Sequence, residues 1–195
     1  MKTTKGLAIG LIAISPFCAQ AQEMPIAAVF QRLQSQSPTE VSQAAAQLER
    51  QGRSDLKVRE YIALHLPPLI EKGPAQLDYP GPWVVLVRLA GDLKIAEAAP
   101  ALAKWLTVDN LGEITAASFI KLETNPAGKA LAEIGDPAIP AVTGVFNHGT
   151  LRERRYAVYV LNLIDSLGAK KALREQLNNE PDGQLRDFIR KSLSG

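Results

Sequence analysis

The sequence predicts an all-α protein, built as an α-solenoid of four to five stacked helical hairpins. Three observations favour this fold class. Apolar residues recur at helical spacing through most of the chain. Stop and start signals such as Gly135-Asp136-Pro137 interrupt that pattern at short intervals. Prolines also begin short apolar segments at recurring positions, and hairpins repeated in this way bury their apolar faces only by stacking on one another.

Residues 1–21 are predicted to be a secretory signal peptide that precedes the folded domain. Two lysines come before an apolar run from Gly6 to Phe17, which is too short for a membrane-spanning helix. Ala19-Gln20-Ala21 then supplies the small residues of a cleavage site. The alternative is an uncleaved anchor helix, which the short apolar run disfavours. We therefore expect residues 22–195 to form one repeat domain, periplasmic or extracellular and not inserted in a membrane.

The charge and cysteine content limits the kinds of ligand and reaction that we expect for the mature chain. The sequence has 22 Lys and Arg against 20 Asp and Glu, and two of the lysines lie in the predicted signal peptide, which leaves 20 of each. A neutral domain is a poor nucleic-acid binder, because that affinity depends on neutralising phosphates. The single cysteine, Cys18, also lies in the signal peptide. The mature chain would therefore have no disulfide and no thiolate chemistry.

The first third of the mature chain is predicted to hold three helical segments and a loop. Pro25 begins the first segment, and Ser37-Pro38-Thr39-Glu40 forms a capping box at the start of the second. The third runs from Ser54 to Ile70 and contains Pro67-Pro68, which either kinks one helix or separates two. Gly73 to Pro82 is the longest loop-like stretch.

A nearly continuous apolar run extends from Trp83 to Leu89. Its valines would suit a strand, but the helical neighbours on both sides favour a buried helix that ends at Gly91-Asp92. Val108 to Gly112 is predicted to be a turn, and Ile114 to Glu123 one or two further helical turns. The helix between them is predicted from apolar residues at helical spacing: Ile95, Ala99, Leu102 and Leu106.

The clearest repeat unit begins at Asn125-Pro126, which caps a helix that ends at Gly135. Asp136-Pro137 begins a short second helix, and Thr150-Leu151-Arg152-Glu153 is a second capping box that begins a third. The third helix is predicted to end at Gly168, with this buried face: Ala157, Val160, Leu161, Ile164 and Leu167. Two further helical segments complete the chain, and the last one has a charged outer face, as the end of an array requires.

The short helices share a register in which a proline precedes two small or apolar residues. These starts are Pro25, Pro68, Pro100 and Pro140, with Lys171 in the fifth place. The segment from Ala130 to Val142 resembles the HEAT repeat, in the short bacterial form known as phycobilisome-lyase-type HEAT repeats. Weaker copies of its turn are Leu89-Ala90-Gly91-Asp92 and Ile164-Asp165-Ser166-Leu167-Gly168. This resemblance implies an armadillo-like right-handed superhelix that binds macromolecules on its concave face, and it implies no reaction.

The sequence contains none of the familiar short motifs of metalloproteases, phosphate-binding loops or serine hydrolases. His65 is interpreted as a partly buried structural residue and His148 as a turn residue. We therefore predict no catalytic residues, no metal and no cofactor. The predicted function is that of a non-catalytic secreted scaffold for a protein partner. The alternatives are an accessory protein of a lyase-like enzyme, and a module that binds lipid or glycan.

Partner-binding residues are predicted in the basic C-terminal part of the chain. From Thr150 onward there are nine basic and six acidic residues, against eleven and fourteen in residues 22–149. The resemblance implies that second helices line the concave side, and we expect four arginines there: Arg154, Arg155, Arg186 and Arg190. Their planar guanidinium groups suit an acidic protein partner. Lys170, Lys171 and Arg174 of the next hairpin would join the same patch. The alternative is that Arg154 or Arg155 pairs with acids of neighbouring repeats.

Trp83 is the second candidate for partner binding. With Trp105 and Tyr79 it could line a groove, because aromatic side chains are favoured anchors in interfaces. The alternative is that Trp83, which precedes Val-Val-Leu, simply belongs to the core.

Overall fold

The computed structural model describes residues 25–74, 81–108 and 125–194, and these residues form an all-α structure without a strand. Ten α-helices lie within the described ranges. They are α1 (Ile26–Gln31), α2 (Pro38–Ser54), α3 (Leu56–Glu71), α4 (Pro82–Asp92), α5 (Ala99–Ala103), α6 (Pro126–Ile134), α7 (Ile139–His148), α8 (Leu151–Ile164), α9 (Leu167–Asn179) and α10 (Gly183–Ser194). Short 3₁₀ turns follow α1 and precede α5 and α7.

Four of the predictions fall wholly or mostly outside the described ranges. They concern the signal peptide of residues 1–21, the Gly73 to Pro82 loop, the Val108 to Gly112 turn and the helical turns from Ile114 to Glu123.

The helices pack in two rows. Within each row, a helix contacts the helix two positions further along the chain. The first row consists of α2, α4, α6, α8 and α10, and the second of α3, α5, α7 and α9. Helix α1 lies against α3, since the Phe30 and Tyr61 rings meet edge to face with centroids 5.7 Å apart. Adjacent pairs such as α2–α3 and α7–α8 join the two rows. The buried apolar residues come from both rows and form one continuous core.

Three turns that lead from the first row to the second contain a left-handed residue. These residues are Lys94 after α4, Gly135 after α6 and Asp165 after α8, with φ values of 51°, 80° and 46°. The first two turns continue into a 3₁₀ turn and a short helix with Pro100 or Pro140 in its first turn. Proline is tolerated there because the first helical N–H groups have no internal acceptor. The predicted register is confirmed for Pro100 and Pro140, which lie in the first turns of α5 and α7. It is wrong for Pro68, which lies inside α3, and for Lys171, which lies inside α9.

The predicted end of α4 at Gly91-Asp92 is confirmed, because the helix ends at Asp92, but Gly91 itself does not form a turn. It lies inside α4, and the left-handed residue comes three positions later, at Lys94. A Cβ atom at Gly91 would lie 3.0 Å from the Cα atom of Ala130 and would overlap the Glu133 carboxylate. Helices α4 and α6 therefore lie very close together at Gly91. This close contact, and not a turn, explains why the residue is a glycine.

Pro67 and Pro68 lie within one continuous helix, α3, so they do not separate two helices. Neither proline has an N–H group to donate to the carbonyls of Ala63 and Leu64 four residues earlier. Leu64 is 71% exposed, so this part of α3 has one side that faces solvent. Packing of Ile62, Leu66 and Ile70 on the opposite face keeps the helix together across the proline pair.

The predicted end of α8 at Gly168 is wrong. The helix ends at Ile164, Asp165 takes the left-handed conformation, and the Ser166 hydroxyl accepts the Ala169 N–H at 3.1 Å to begin α9. Leu167 is consequently 87% exposed and does not belong to the buried face of α8. A serine N-cap supplies an acceptor for the new helix, and this local hydrogen bond outweighs the weaker stop signal of a glycine.

Other predicted helix starts are confirmed. The capping box of Thr150 and Glu153 is complete, with both reciprocal hydrogen bonds present. At Ser37 only one half forms, because the Glu40 carboxylate accepts the Ser35 hydroxyl instead of the Ser37 N–H. The buried Asn125 side chain accepts the Gly128 N–H and donates to the Leu106 carbonyl, which ties α6 to the segment after α5. The run from Trp83 to Leu89 is helical, as predicted.

Candidate functional site

The predicted arginine cluster is centred on a buried ion pair between Arg154 of α8 and Glu180 at the end of α9. The Arg154 Nε and Nη2 atoms donate to the two Glu180 carboxylate oxygens at 3.1 and 3.0 Å. The Arg154 Nη1 atom donates to the Gly149 carbonyl at 2.9 Å. The Glu180 side chain is 0% exposed and that of Arg154 is 17% exposed. This two-point geometry joins α8, α9 and the turn before α8.

Two further donors complete the surroundings of the Glu180 carboxylate. The Gln176 amide donates at 2.8 Å and the Asp182 N–H at 3.1 Å. Burial alone would raise the pKa of Glu180, but the hydrogen bonds from Arg154, Asp182 and Gln176 and the attraction to the Arg154 charge lower it below its usual value. Glu180 is therefore held as a carboxylate, and the pair is an internal contact between helices.

Arg186 converges on the same segment through the backbone. Its Nη1 atom donates to the carbonyls of Glu180 and Pro181 at 2.7 and 3.0 Å. Arg155 donates instead to Gln184 at 3.2 Å, and Arg190 pairs with Asp187 at 2.6 Å on the exposed face of α10. The structure thus brings Arg154 and Arg186 together, whereas Arg155 and Arg190 make separate contacts.

The four arginines do not lie on second-row helices, where the sequence argument placed them. Helices α8 and α10 belong to the first row, together with α4 and α6. Arg154 does pair with an acid, as the alternative interpretation expected, but Glu180 ends α9 of the same hairpin and does not belong to a neighbouring repeat. Arg155 is half-exposed and Arg190 is exposed, so both side chains are accessible to a partner.

Trp83 is a core residue. It is 4% exposed, and its indole N–H donates to the Ile70 carbonyl at 3.0 Å. Its ring meets that of Trp105 edge to face, with centroids 6.3 Å apart. Gly73, with φ 79°, lies so close to Trp105 that a Cβ atom there would overlap the indole. The tryptophan pair therefore closes the core beside α3 and α4, while Tyr79 lies outside the described residues.

The two histidines have no ligand geometry around them. His65 is exposed, contrary to the prediction, and stacks on Tyr61 with centroids 4.2 Å apart. His148 is the exposed last residue of α7. Among residues 25–74, 81–108 and 125–194, no group of three His, Cys, Asp or Glu side chains could hold a metal ion. In the same part of the chain, no helix has the length and apolar character needed to span a membrane.

The outward face of the second row is a further surface, of which the sequence argument named Lys171 and Arg174 as additions to the arginine patch. The exposed residues on this face are Pro100 on α5, Lys104 just after it, Pro140 and Gly144 on α7, and Lys171 and Arg174 on α9. Lys104 pairs with Glu71 of α3, and Lys171 lies 3.9 Å from Glu175. The proline register was the sequence signal that could have located this face. It marks α5 and α7 of the second row and does not include the arginine-rich α8.

Comparison with known proteins identifies no relative of this chain. No protein-family model, no curated protein and no solved structure matches the chain. The resemblance to HEAT repeats, carried by the segment from Ala130 to Val142, therefore stays a prediction from sequence.

Proposed function

We propose that the protein is a non-catalytic scaffold of HEAT-like hairpins that binds a protein partner after export from the cytoplasm. The observation that carries this proposal is the two-row packing, in which helices contact the next helix but one. Stacked hairpins produce this pattern, since each repeat contacts only its neighbours. The left-handed residues Lys94, Gly135 and Asp165, at equivalent turns, also support a repeated unit.

The second row is the better candidate for the partner-binding surface. In the arrays that the sequence resembles, second helices line the concave face, and here that row is α3, α5, α7 and α9. The exposed residues in the middle of this row include Pro100, Pro140 and Gly144. The space around Gly144 is open, because a Cβ atom built there would meet no atom within 4 Å. Lys171 and Arg174 supply exposed positive charge at one end. The long contact of Lys171 with Glu175 is a surface ion pair of small value, so a partner carboxylate can compete for the lysine.

Charge reversal on each row gives a direct test. Mature protein would be used to capture partners from the periplasmic or extracellular fraction, and bound proteins would be identified by mass spectrometry. Lys171→Glu combined with Arg174→Glu reverses two charges on the second row. Arg50→Glu combined with Arg88→Glu reverses two exposed charges on the first row, as the matched control. We expect the first double variant to lose an acidic partner that the parent and the control retain.

Several outcomes would contradict the proposal. Equal capture by both double variants would mean that the second row does not bind the partner. Loss of capture by the control alone would move the site to the first row. Recovery of a lipid or glycan in place of a protein would favour the module that binds such ligands. Both double variants should keep the circular dichroism spectrum of the parent, because the four substituted residues are exposed.

A further inference from the structure

The C-terminal end of the helical array combines limited apolar burial with a cluster of polar contacts. Helix α10 buries only Leu185 and Ile189, whereas α4 buries six residues. Several polar contacts at this end meet at Glu180, whose carboxylate accepts from Arg154 and whose backbone carbonyl accepts from Arg186. A separate hydrogen bond joins Arg155 of α8 to Gln184 of α10. An end of the array with little apolar burial depends more strongly on such a polar cluster than the middle does.

Protonation of Glu180 would remove the charge that makes this cluster favourable. The carboxylate has no exposed surface, and it is the only acceptor that the described contacts give to the Nε and Nη2 atoms of Arg154. A buried cation that loses its counter-charge is strongly destabilising, because water cannot replace the lost partner without opening the structure. The nearest structural response is separation of the last helices from α8.

We propose that α10 and the end of α9 form an acid-released end of the array, which separates from α8 when Glu180 is protonated while α2 to α8 stay folded. Three charged residues face Glu180 in this cluster. Arg154 comes from α8, Arg186 comes from α10 and contacts the Glu180 and Pro181 carbonyls, and Asp182 lies in the turn. The Asp182 carboxylate accepts the Leu185 N–H, so it fixes the start of α10.

The direction of the pH dependence follows from this geometry. Burial raises the pKa of Glu180, but the hydrogen bonds from Arg154, Asp182 and Gln176 and the charge of Arg154 favour the ionised carboxylate, so the pKa lies below the ordinary value of 4.5. The closed end is therefore fully stabilised above pH 4.5, and the stabilisation is lost as the pH falls through the lowered pKa. We therefore expect α10 and the end of α9 to separate from α8 only in acid and to stay packed on it at neutral pH.

Methyl NMR of the isoleucine residues can separate local release from global unfolding. Ile189 of α10 and Ile62 of α3 are both fully buried and report on the two ends of the array. In a titration from pH 7 to pH 3, we expect the Ile189 methyl signal to lose its native shift at a higher pH than the Ile62 signal. Glu180→Gln imitates the protonated acid, so at pH 7 it should already lose the native Ile189 signal and keep that of Ile62.

Glu133→Gln is the matched control, because Glu133 is a partly buried glutamate of α6 outside this cluster. This variant should keep both native signals at pH 7. A parent titration in which Ile189 and Ile62 change at the same pH would overturn the proposal. So would a Glu180→Gln variant that keeps Ile189 native at pH 7. Loss of both signals in that variant would also overturn it, because the last helices would then not be a separable unit.

Discussion

Replacing Gly135 with alanine should destabilise the protein through the backbone alone. Gly135 ends α6 with φ 80° and ψ −142°, a conformation that residues with a Cβ atom rarely adopt. A Cβ atom built there meets no atom within 4 Å, so a steric clash with neighbours is not part of the cost. Backbone strain of this kind costs about 1–3 kcal/mol. Alanine also restricts the unfolded chain, which offsets about 0.4–1 kcal/mol of that cost.

We therefore expect Gly135→Ala to lower the free energy of unfolding by about 1–2 kcal/mol. For a domain of this size that corresponds to a fall in Tm of about 2–8 °C. Urea denaturation followed by circular dichroism would measure it, with a lower midpoint and an unchanged slope. Lys94→Gly is the matched variant of opposite sign, because it relieves a left-handed lysine with φ 51° at the equivalent turn. It should raise stability by less than about 1 kcal/mol, since glycine also loosens the unfolded chain.

One pair of results would refute this reasoning. If Gly135→Ala unfolds at the same urea concentration as the parent, the turn after α6 does not require a left-handed residue. If Lys94→Gly is destabilising by as much as Gly135→Ala, the two turns are not equivalent. In that case the repeated geometry from which we infer a solenoid would lose its main local support.

Three further predictions concern the core and one carboxylate. Leu161→Ala should lower the free energy of unfolding by about 2–5 kcal/mol, because Leu161 is fully buried; an unchanged urea midpoint would contradict its core assignment. Gly91→Val should cost about 1–3 kcal/mol by forcing α4 away from Ala130, measured in the same assay. Burial, and to a lesser extent repulsion from Asp92, raises the pKa of Glu133 despite the attraction of Lys129. Its ionisation therefore opposes folding as the pH rises, so the stability of Glu133→Gln relative to the parent should increase as the pH is raised from below 4.5 to neutral.

Local sequence signals predicted most of the helices because each signal acts within a few residues. The N-caps Ser37, Asn125 and Thr150 accept N–H groups three residues ahead, and such bonds form whatever the rest of the chain does. The two weaker turn copies were harder to place. A left-handed lysine at position 94 leaves no mark in the sequence, whereas a glycine three residues earlier suggested a turn that is absent.

The candidate site was less predictable, because its contacts join residues far apart in the chain. Arg154 and Glu180 are 26 positions apart, and only the packing of α8 on α9 brings them together. A count of charges over the C-terminal part showed an excess of basic residues but could not show which of them are neutralised by an acid. Trp83 was ambiguous for the same reason, since a tryptophan in an apolar run suits both a core and an interface.

The row to which a helix belongs could nevertheless have been inferred from the proline register. That register identifies Pro100 and Pro140 as starts of second-row helices, and the structure places α5 and α7 there. Helix α8 begins at a capping box without a proline at its first position, and it follows a short helix of the second row. Alternation of rows then assigns α8 to the first row and α9, with Lys171, to the second. The arginines of α8 thus face a different side of the array from Lys171 and Arg174, and only the latter pair lies on the row that we propose for partner binding.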